Sequence, residues 1–461
     1  MTSLLICTCQ ISRAQAVDGV PCNPHATAGA KKLLKYLYKL SNDKFNGVIA
    51  GQNFTDDVSE GYTTGYDHYF VKPYRAAGKW IGMITVDPEY SYEAPLSQLL
   101  YVNETLEQHW RKGGLVTVGW SPTNPTGGEI GGIGTQFNLD RLITPGDPLY
   151  PIWMAKLNRM AAMLKDLQDK KVVVIWRPMQ EMTNPAGFWW SKKAVTDTHS
   201  DYVDVWRHMY KYFTVTKGLN NLLWAWAPTG TATRSSFPYP GDSYVDIVAA
   251  TIYNNDLSQY RYWGYPDDAS FYPRKVIALS EFGPWDDTGN FDNTNYVKAI
   301  KQYFPKLAYW STWDNWKGHL GAIGDNLKVS ELLNDPGIID CPVPGGTSPV
   351  KDTVPPSIPG ALRIKSITPN SVTMTWTAAT DNDRVKGYDV FYNRVVWPPP
   401  VTRANKSLGS ITSLSYTVTG LTPKTNYAFC VRAVDATDNT GCTCDTVMAT
   451  TTDGPPAVFR H

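Results

Sequence analysis

Two glutamates each follow a short apolar run in this chain of 461 residues. Glu181 ends the segment VVVIWRPMQE, which begins at Val172, and Glu281 ends the segment KVIALSE, which begins at Lys275. Nearly continuous apolar runs of this length are typical of strands that are covered on both faces. A carboxylate just after such a strand can act as a proton donor, a base or a nucleophile. Whether the two act together depends on the elements that position them.

Short apolar runs alternate with helical patterns around the two glutamates. Eight runs precede Cys341: Gly47 to Gly51, Trp80 to Val86, Leu115 to Trp120, Val172 to Arg177, Leu222 to Ala227, Val245 to Tyr253, Val276 to Ser280 and Leu307 to Trp313. The clearest helical stripe lies in Pro151 to Gln168, with Ile152, Leu157, Met160, Met163 and Leu164 on one face. This alternation predicts an α/β fold, a (β/α)₈ TIM barrel, whose fourth and seventh strands bring Glu181 and Glu281 to one rim. A doubly wound sheet is the alternative, but no glycine-rich dinucleotide fingerprint follows the first strand.

Two carboxylates across a barrel mouth are the arrangement that glycoside hydrolysis requires. One protonates the leaving oxygen while the other traps the oxocarbenium-like sugar carbon from the opposite side. When the two carboxyl groups are about 5–5.5 Å apart, the second attacks directly and the configuration is retained. Arg177, four residues before Glu181, would help to hold the partner carboxylate ionised.

The charge and residue composition of the chain limit the kinds of molecule that it is expected to bind. The formal charge of +1 gives no field that would gather nucleic acid or an anionic membrane, and no run of about 18 apolar residues predicts a membrane span. The 7 His are scattered without metal-ligand spacing, so we expect no metal and no other cofactor. The 17 Trp and 27 Tyr suit stacking against sugar faces as well as core packing. A polysaccharide or oligosaccharide substrate fits better than nucleic acid or membrane.

A second, smaller unit follows a linker. The stretch CPVPGGTSPVKDTVPPSIPG begins at Cys341 and is too rich in proline and glycine for a helix or a central strand. Beyond it, four segments alternate apolar with polar residues, as in a small all-β immunoglobulin-like sandwich: Ser371 to Trp376, Gly387 to Asn393, Ser415 to Val418 and Tyr427 to Ala433. Leu421 to Tyr427, with Trp376 upstream, resembles a fibronectin type III domain, which implies core packing for Trp376 and a tyrosine corner at Tyr427.

The large unit, from about Pro24 to Asp340, resembles glycoside hydrolase family 26. The motifs that carry the resemblance are Gly51-Gln52, Asn124-Pro125, Trp176-Arg177-Pro178, Glu181-Met182, Trp189-Trp190, Trp206-Arg207, Gly218 to Trp224, Pro240-Gly241-Asp242, Val245 to Val248 and Ser280 to Gly283. The commonest activity of this family is endo-β-1,4-mannanase. The resemblance implies that Glu181 is the acid/base, Glu281 the nucleophile, Tyr253 a hydrogen-bond donor to Glu281, and Trp313 a sugar platform.

Aromatic placement at the barrel mouth adds Trp120 and Trp189 as expected sugar contacts, beside Tyr253 and Trp313. We expect Arg177 and Gln180 to complete the substrate-binding set.

Three departures from the family pattern affect the expected substrate specificity more than the expected roles of the two carboxylates. Gln180 stands where the family has His, so a titrating contribution should be absent. Trp120-Ser121-Pro122-Thr123 stands where the family commonly has a His before Asn-Pro, and the loop after Glu181 lacks its Trp, with Ala186 or Gly187 in that place. A β-1,3-xylanase or mixed-linkage β-glucanase is therefore the alternative within the class. A non-catalytic carbohydrate-binding barrel is the alternative outside it, although retention of both glutamates argues against it.

The N-terminal residues and the cysteines suggest export. Residues 1–16, MTSLLICTCQISRAQA, resemble a signal peptide that is cut before Val17, which predicts a secreted protein. The five remaining cysteines are compatible with two bridges and one free thiol, and the sequence does not fix their connectivity. Cys22 with Cys341 would tie the two ends of the large domain, and Cys430 with Cys442 or Cys444 would lie within the small one. The predicted organisation is a signal peptide at 1–16, a glycosidase domain at 17–342, a linker at 343–356 and a fibronectin-like domain at 357–453. A monomer is expected, with the small domain as a spacer or polysaccharide-proximity module.

Overall fold

The eight apolar runs form a closed barrel in a computed structural model of the chain. The structure describes residues 18–42, 47–54, 65–89, 93–127, 137–184, 187–191, 200–229, 238–258, 272–285, 288–316, 318–344, 354–381, 385–394, 411–435, 439–440 and 446–453. The predicted signal peptide lies outside these residues. Among them, no helix is long and apolar enough to cross a membrane.

Eight parallel strands make the barrel. They are β1 (Val48–Asn53), β2 (Met83–Val86), β3 (Leu115–Trp120), β4 (Val174–Pro178), β5 (Leu222–Trp226), β6 (Ile247–Tyr253), β7 (Val276–Gly283) and β8 (Leu307–Thr312). Each strand pairs with the next, and β1 pairs with β8 to close the sheet. Almost every strand residue is buried, which explains the continuous apolar runs in the sequence. The predicted (β/α)₈ barrel is confirmed.

Helices cover the outside of the barrel. They are α1 (Ala28–Asn42), α2 (Lys72–Ala77), α3 (Leu96–Arg111), α4 (Leu149–Asp169), α5 (Ser200–Lys211), α6 (Thr294–Tyr303) and α7 (Val329–Leu333). Four of the five residues expected on the apolar stripe of α4 are buried, but Ile152 is exposed and the neighbouring Trp153 takes the inward position. After β8 come the two-residue strands β9 (Asn315–Trp316) and β10 (His319–Leu320), which pair with each other, and β11 (Ile338–Ile339), which pairs with β1.

Within its described residues, the C-terminal unit contains two three-stranded antiparallel sheets, in line with the alternating pattern of the sequence. The strands are β12 (Gly360–Ile367), β13 (Ser371–Thr377), β14 (Val385–Arg394), β15 (Ser415–Thr419), β16 (Asn426–Asp435) and β17 (Thr446–Thr450). The sheet orders are β12-β13-β15 and β14-β16-β17. Trp376 lies in its core, and the hydroxyl of Tyr427 accepts a hydrogen bond from Thr422 N at 3.0 Å. The unit touches the barrel where Gln108 Nε2 donates to Thr440 Oγ1 at 3.3 Å.

The expected Cys22–Cys341 disulfide is wrong, because both cysteines are free. Cys22 N donates to Asp246 Oδ1 at 2.6 Å, just before β6. Cys341 Sγ donates to Ile81 O at 3.2 Å, just before β2. In an eight-stranded barrel β2 and β6 lie on opposite sides, so the two thiols are separated by the barrel itself. Cys442 and Cys444 lie outside the described residues, and the pairing of Cys430 stays a prediction.

Candidate active site

Glu181 lies on a strained turn that follows β4. The strand ends at Pro178, and then Met179 and Glu181 adopt left-handed backbone conformations with φ of 50° and 56°. A residue with a side chain rarely adopts this region, so the surrounding structure must hold the turn in place. Met179 N donates to Trp120 O at 2.9 Å, and Glu181 N donates to Ala227 O at 2.8 Å. The turn is therefore attached to the ends of β3 and β5.

Three side chains bind the carbonyl groups of the same turn. Trp190 Nε1 donates to Gln180 O at 2.8 Å, and Tyr202 Oη donates to Met179 O at 3.1 Å. Ser191 Oγ donates to Glu181 O at 3.0 Å. These hydrogen bonds satisfy buried backbone acceptors that a strand or helix would otherwise pair. They fix the direction in which the Glu181 side chain leaves the backbone.

Glu281 lies within β7 and is held by two donors. Arg177 Nη1 donates to Glu281 Oε1 at 2.5 Å, and the Tyr253 hydroxyl donates to Glu281 Oε2 at 3.1 Å. Arg177 is fully buried, so its interaction with the carboxylate is screened little by water. Both oxygens of Glu281 are thereby oriented, and negative charge on them is stabilised.

Glu181 is in a different electrostatic environment. Burial and the negative charge of Glu281 raise the pKa of Glu181 to about 7, against the opposing effect of Asn184. Asn184 Nδ2 donates to Glu181 Oε2 at 3.2 Å, which favours the ionised form. Glu181 therefore keeps its proton to a higher pH than an ordinary glutamate, whereas Glu281 is held by a guanidinium group and a hydroxyl donor. Two carboxyl groups in such unlike environments are typical of an acid and nucleophile pair.

Both glutamates line one cavity of about 250 Å³ at the barrel mouth. Its lining residues are Gln180, Glu181, Phe188, Tyr253, Glu281, Pro284, Trp285, Trp313, Asp314 and His319. The structure thus brings five of the expected site residues together, and it places Arg177 behind Glu281. No group of three or more His, Cys, Asp or Glu side chains in the described part of the chain is arranged to hold a metal ion.

Trp120 and Trp189 do not reach this cavity, contrary to the expectation from sequence. Their exposed fractions are 0% and 1%. Trp120 stacks on Trp153 and donates from Nε1 to Glu89 Oε2 at 2.7 Å. Trp189 Nε1 donates to Pro122 O at 2.7 Å. Both indoles pack among other aromatic rings, and each uses its N–H group, the only donor of an indole, within the protein. They therefore pack beneath the barrel rim and do not contact the cavity.

Two aromatic residues in the cavity were missed by the sequence analysis. Phe188 stacks on Trp190 with ring centroids 4.4 Å apart. It follows Gly187, near the place where the loop lacks the family's Trp. Trp285 follows β7, is 62% exposed and contacts the Tyr253 ring at 5.1 Å between centroids. The sequence does place both residues a few positions after one of the two glutamates. Hydrophobic periodicity, however, cannot show which of several aromatic side chains is exposed to the cavity.

A buried polar cluster lies beside the two glutamates and contains no histidine. Asp87, which follows β2, accepts hydrogen bonds from Ser121 N at 3.2 Å, Ser121 Oγ at 2.5 Å and Gln180 Nε2 at 3.3 Å. Gln180 Nε2 also donates to Ser121 Oγ at 2.7 Å. Burial raises the pKa of Asp87, and the hydrogen bonds from Ser121 oppose that shift. Ser121, in the β3 segment where the family commonly has a His, therefore touches Gln180, which stands where the family has another.

Known proteins resemble both units of the chain. The family model for glycosyl hydrolase family 26 matches residues 22–339, and the fibronectin type III model matches residues 356–440. Mannan endo-1,4-beta-mannosidase A and B of Caldalkalibacillus mannanilyticus is 30% identical over 336 residues, which cover 69% of this chain and 62% of that protein. A mannan endo-1,4-beta-mannosidase of Bacillus subtilis is 28% identical over 309 residues, which cover 64% of this chain and 82% of that protein.

Solved structures share the fold. The Bacillus subtilis mannanase BCman has a TM-score of 0.61 at 24% identity, covering 71% of this chain and 96% of its own. A Cellulomonas fimi endo-beta-1,4-mannanase double mutant has a TM-score of 0.59 at 20% identity, covering 94% of this chain and 99% of its own. The family model covers more than half of the sequence and includes both glutamates. The chain therefore belongs to glycosyl hydrolase family 26, with a fibronectin type III domain after the barrel.

Proposed function

We propose that this protein is a retaining endo-β-1,4-mannanase, with Glu181 as the acid/base and Glu281 as the nucleophile. The observation that carries the proposal is the contrast between the two carboxyl groups in one aromatic cavity. Glu281 is oriented by Arg177 and Tyr253, whereas burial and the charge of Glu281 raise the pKa of Glu181 to about 7. One group is thus prepared to attack and the other to donate a proton.

In the first step, Glu181 transfers its proton to the glycosidic oxygen while a Glu281 oxygen attacks the anomeric carbon. The bond from that carbon to the leaving oxygen breaks, and an ester bond to Glu281 forms. Esterification removes the negative charge of Glu281, which is one of the causes that raise the pKa of Glu181. The pKa of Glu181 therefore falls at the stage at which it must act as a base.

In the second step, ionised Glu181 removes a proton from a water molecule whose oxygen attacks the same carbon. The ester bond breaks, Glu281 leaves as a carboxylate, and Glu181 is protonated again. Arg177 and Tyr253 stabilise the charge that returns to Glu281. Two inversions at one carbon give net retention.

The cavity suits a neutral sugar chain. Trp313, Trp285 and Phe188 offer flat apolar rings, and pyranose rings carry C–H faces that stack on such surfaces. We propose mannan as the substrate because the relatives that match this region of the chain are mannan endo-1,4-beta-mannosidases. A β-1,3-xylanase or mixed-linkage β-glucanase is the second candidate, because the loop after Glu181 is altered and neither Gln180 nor the segment Trp120 to Thr123 supplies the histidines of the family pattern.

Export and oligomeric state are also proposed from the sequence. We propose a secreted monomer, on the basis of residues 1–16 and of a substrate too large to enter cells. Expression with the natural N-terminus, followed by mass spectrometry of the protein in the medium, tests cleavage before Val17. Light scattering tests the monomer.

A substrate panel and a covalent label test the activity. Purified protein is assayed for reducing ends on β-1,4-mannan, β-1,3-xylan and mixed-linkage β-glucan, with Glu281→Gln as the inactive control. We expect the fastest hydrolysis on mannan, with early release of mixed oligosaccharides as endo cleavage requires. A 2-fluoro-mannoside with a good leaving group should label Glu281, as peptide mass spectrometry would show. Activity on xylan or glucan alone would refute the substrate, and a label on another residue would refute the nucleophile.

A further inference from the structure

Gln52 lies near the end of β1, on the side of the barrel sheet that faces the helices. It pairs in register with Thr312 of β8, so the two side chains point to the same face of the sheet. Thr312 Oγ1 lies 3.4 Å from the hydroxyl of Tyr296 in α6, which identifies that face as the outer one. Gln52 is 0% exposed and is not among the residues that line the cavity. Its side chain is therefore behind the candidate active site and does not meet a bound sugar.

Gly51, which precedes Gln52, allows β1 and β8 to approach each other closely. A Cβ atom added to Gly51 would lie 2.8 Å from Trp310 O and 3.2 Å from Ser311 Cβ. A backbone oxygen in a sheet cannot move aside without disturbing the strand pairing, so a larger residue at this position would push the strands apart. Because the strands are this close, the Gln52 side chain reaches the residue that follows β8.

The amide group of Gln52 binds both ends of the segment between Trp313 and Ile323. Gln52 Nε2 donates to Trp313 O at 3.0 Å and to Asn53 O at 2.7 Å. Gln52 Oε1 accepts from Ile323 N at 2.9 Å. Carbonyl oxygens can face only the NH₂ group and a backbone N–H can face only the oxygen, so a single orientation of the amide fits. Gln52 thus fixes Trp313 and Ile323 relative to β1 at the same time.

The same segment supplies three of the residues that line the cavity, Trp313, Asp314 and His319. Gln52 binds the backbone of the first of them. The carbonyl carbon of Trp313 is bonded to the Cα atom that carries the indole, so a rotation of this peptide group also turns the ring. Removing the Gln52 NH₂ group takes away a hydrogen bond of about 0.5–1.5 kcal/mol that opposes such a rotation.

We propose that Gln52 is a positioning residue that sets the angle at which the Trp313 ring faces the cavity, by binding the carbonyl group of Trp313. The inference rests on the proposed function, in which a sugar ring stacks on Trp313. Stacking requires the flat faces of the sugar and the indole to lie parallel and in contact, so a tilt of the indole weakens the binding of the sugar. Gln52 thereby affects hydrolysis without touching the substrate.

The test uses two variants of Gln52 and a matched control. Gln52→Met keeps a side chain of similar length but has no strong donor or acceptor, and Gln52→Glu is a milder variant that keeps an oxygen to accept from Ile323 N. The control is Asn221→Leu, which removes another buried amide, whose Nδ2 donates to Val172 O at 3.0 Å at the opposite end of the strands. Circular dichroism and thermal unfolding establish that each variant is folded. The control should unfold at a lower temperature and keep the wild-type kcat/KM.

Two measurements follow the effect from Gln52 to the cavity. Hydrogen–deuterium exchange of peptides that cover residues 313–323 should be faster in Gln52→Met than in the wild type, because the Ile323 amide loses its acceptor. The kcat/KM of Gln52→Met on mannan should fall roughly tenfold, which corresponds to about 1.4 kcal/mol. In a Trp313→Ala background the same substitution should cause almost no further loss, because the ring that it displaces is no longer present.

Each outcome decides between a positioning role and a structural one. A loss by the same factor with and without the Trp313 ring would show that Gln52 supports only the fold. Unchanged kcat/KM in folded Gln52→Met and Gln52→Glu would also overturn the proposal. If Trp313→Ala itself keeps the wild-type kcat/KM, the stacking role of Trp313 is wrong and the inference is wrong with it. If the wild type cleaves xylan or glucan and no mannan, only the proposed substrate is wrong, and the same variants are compared on the polysaccharide that is cleaved.

Discussion

Replacing Asn184 with alanine tests the electrostatic account of Glu181. Asn184 Nδ2 donates to Glu181 Oε2 at 3.2 Å and favours the ionised form of that carboxyl group. A hydrogen bond to a charged group contributes about 1.5–3 kcal/mol. This bond is long and Glu181 is partly exposed, so we take about 1 kcal/mol, which is equivalent to roughly 0.7 pH units. The pKa of Glu181 should therefore rise by about that amount in Asn184→Ala.

The sign of the effect follows from the role of acid that we propose for Glu181. Its protonated form is active, so kcat/KM is highest below the pKa and is lost as the pH rises through about 7. In Asn184→Ala the alkaline midpoint of kcat/KM should move to higher pH by about 0.7 units. The assay measures initial rates on soluble mannan between about pH 5 and 9 at constant ionic strength, since kcat/KM reports the free enzyme.

Asn334→Ala is the control for this experiment. Asn334 is exposed, and its side chain donates to Ser330 O at 3.0 Å on the outside of the barrel. Its removal should leave the alkaline midpoint where it is in the wild type. A midpoint in Asn184→Ala that stays fixed or moves to lower pH would refute the assignment of this limb to Glu181.

Four further substitutions separate catalysis from packing. Glu181→Gln should reduce hydrolysis of mannan by about 10²–10⁴-fold, with a smaller loss on aryl glycosides that need no protonation. It should also raise the free energy of unfolding by about 2 kcal/mol at pH 8, measured by urea titration, because ionising this group costs stability as the pH rises from about 4.5 through 7. Tyr253→Phe should lower kcat by roughly 10–100-fold with little change in Tm, since the hydrogen bond to Glu281 is lost while the ring is kept. An unchanged kcat would show that this bond is not needed. Trp285→Ala should raise the KM for mannan without a loss of stability, because Trp285 is exposed. Trp120→Ala should lower the free energy of unfolding by about 3–5 kcal/mol, because Trp120 is fully buried. Kinetics that show the KM effect at Trp120, with calorimetry that shows the stability loss at Trp285, would contradict these placements.

The barrel was predictable because its strands are buried on both faces. Continuous apolar runs such as Leu115 to Trp120 reflect that burial directly, and the alternation with helical stripes leaves few other folds. The positions of Glu181 just after β4 and of Glu281 near the end of β7 were enough to place both in one cavity, since parallel strands end at the same rim.

The aromatic lining was less predictable. Trp120 ends an apolar strand, and nothing in its local sequence distinguishes an indole that faces the cavity from one that packs between β3 and α4. Phe188 reaches the cavity because the loop after Glu181 turns back and stacks it on Trp190. The predicted Cys22–Cys341 disulfide was wrong for a similar reason. The two cysteines lie near the two ends of the barrel domain in sequence, but the closed sheet places them on opposite sides of the barrel.

The left-handed backbone at Met179 and Glu181 has a consequence for how this enzyme can vary. Each such residue costs about 1–2 kcal/mol, and the cost is offset by hydrogen bonds from Trp190, Ser191 and Tyr202. The location of Glu181, the proposed proton donor, is thus set by buried side chains that do not line the cavity. Substitutions at these supports would move the carboxyl group by fractions of an ångström while the active-site residues stay the same. Libraries aimed at new polysaccharides can therefore include the outer ends of this loop and α5, where small changes in backbone geometry reach the reacting bond.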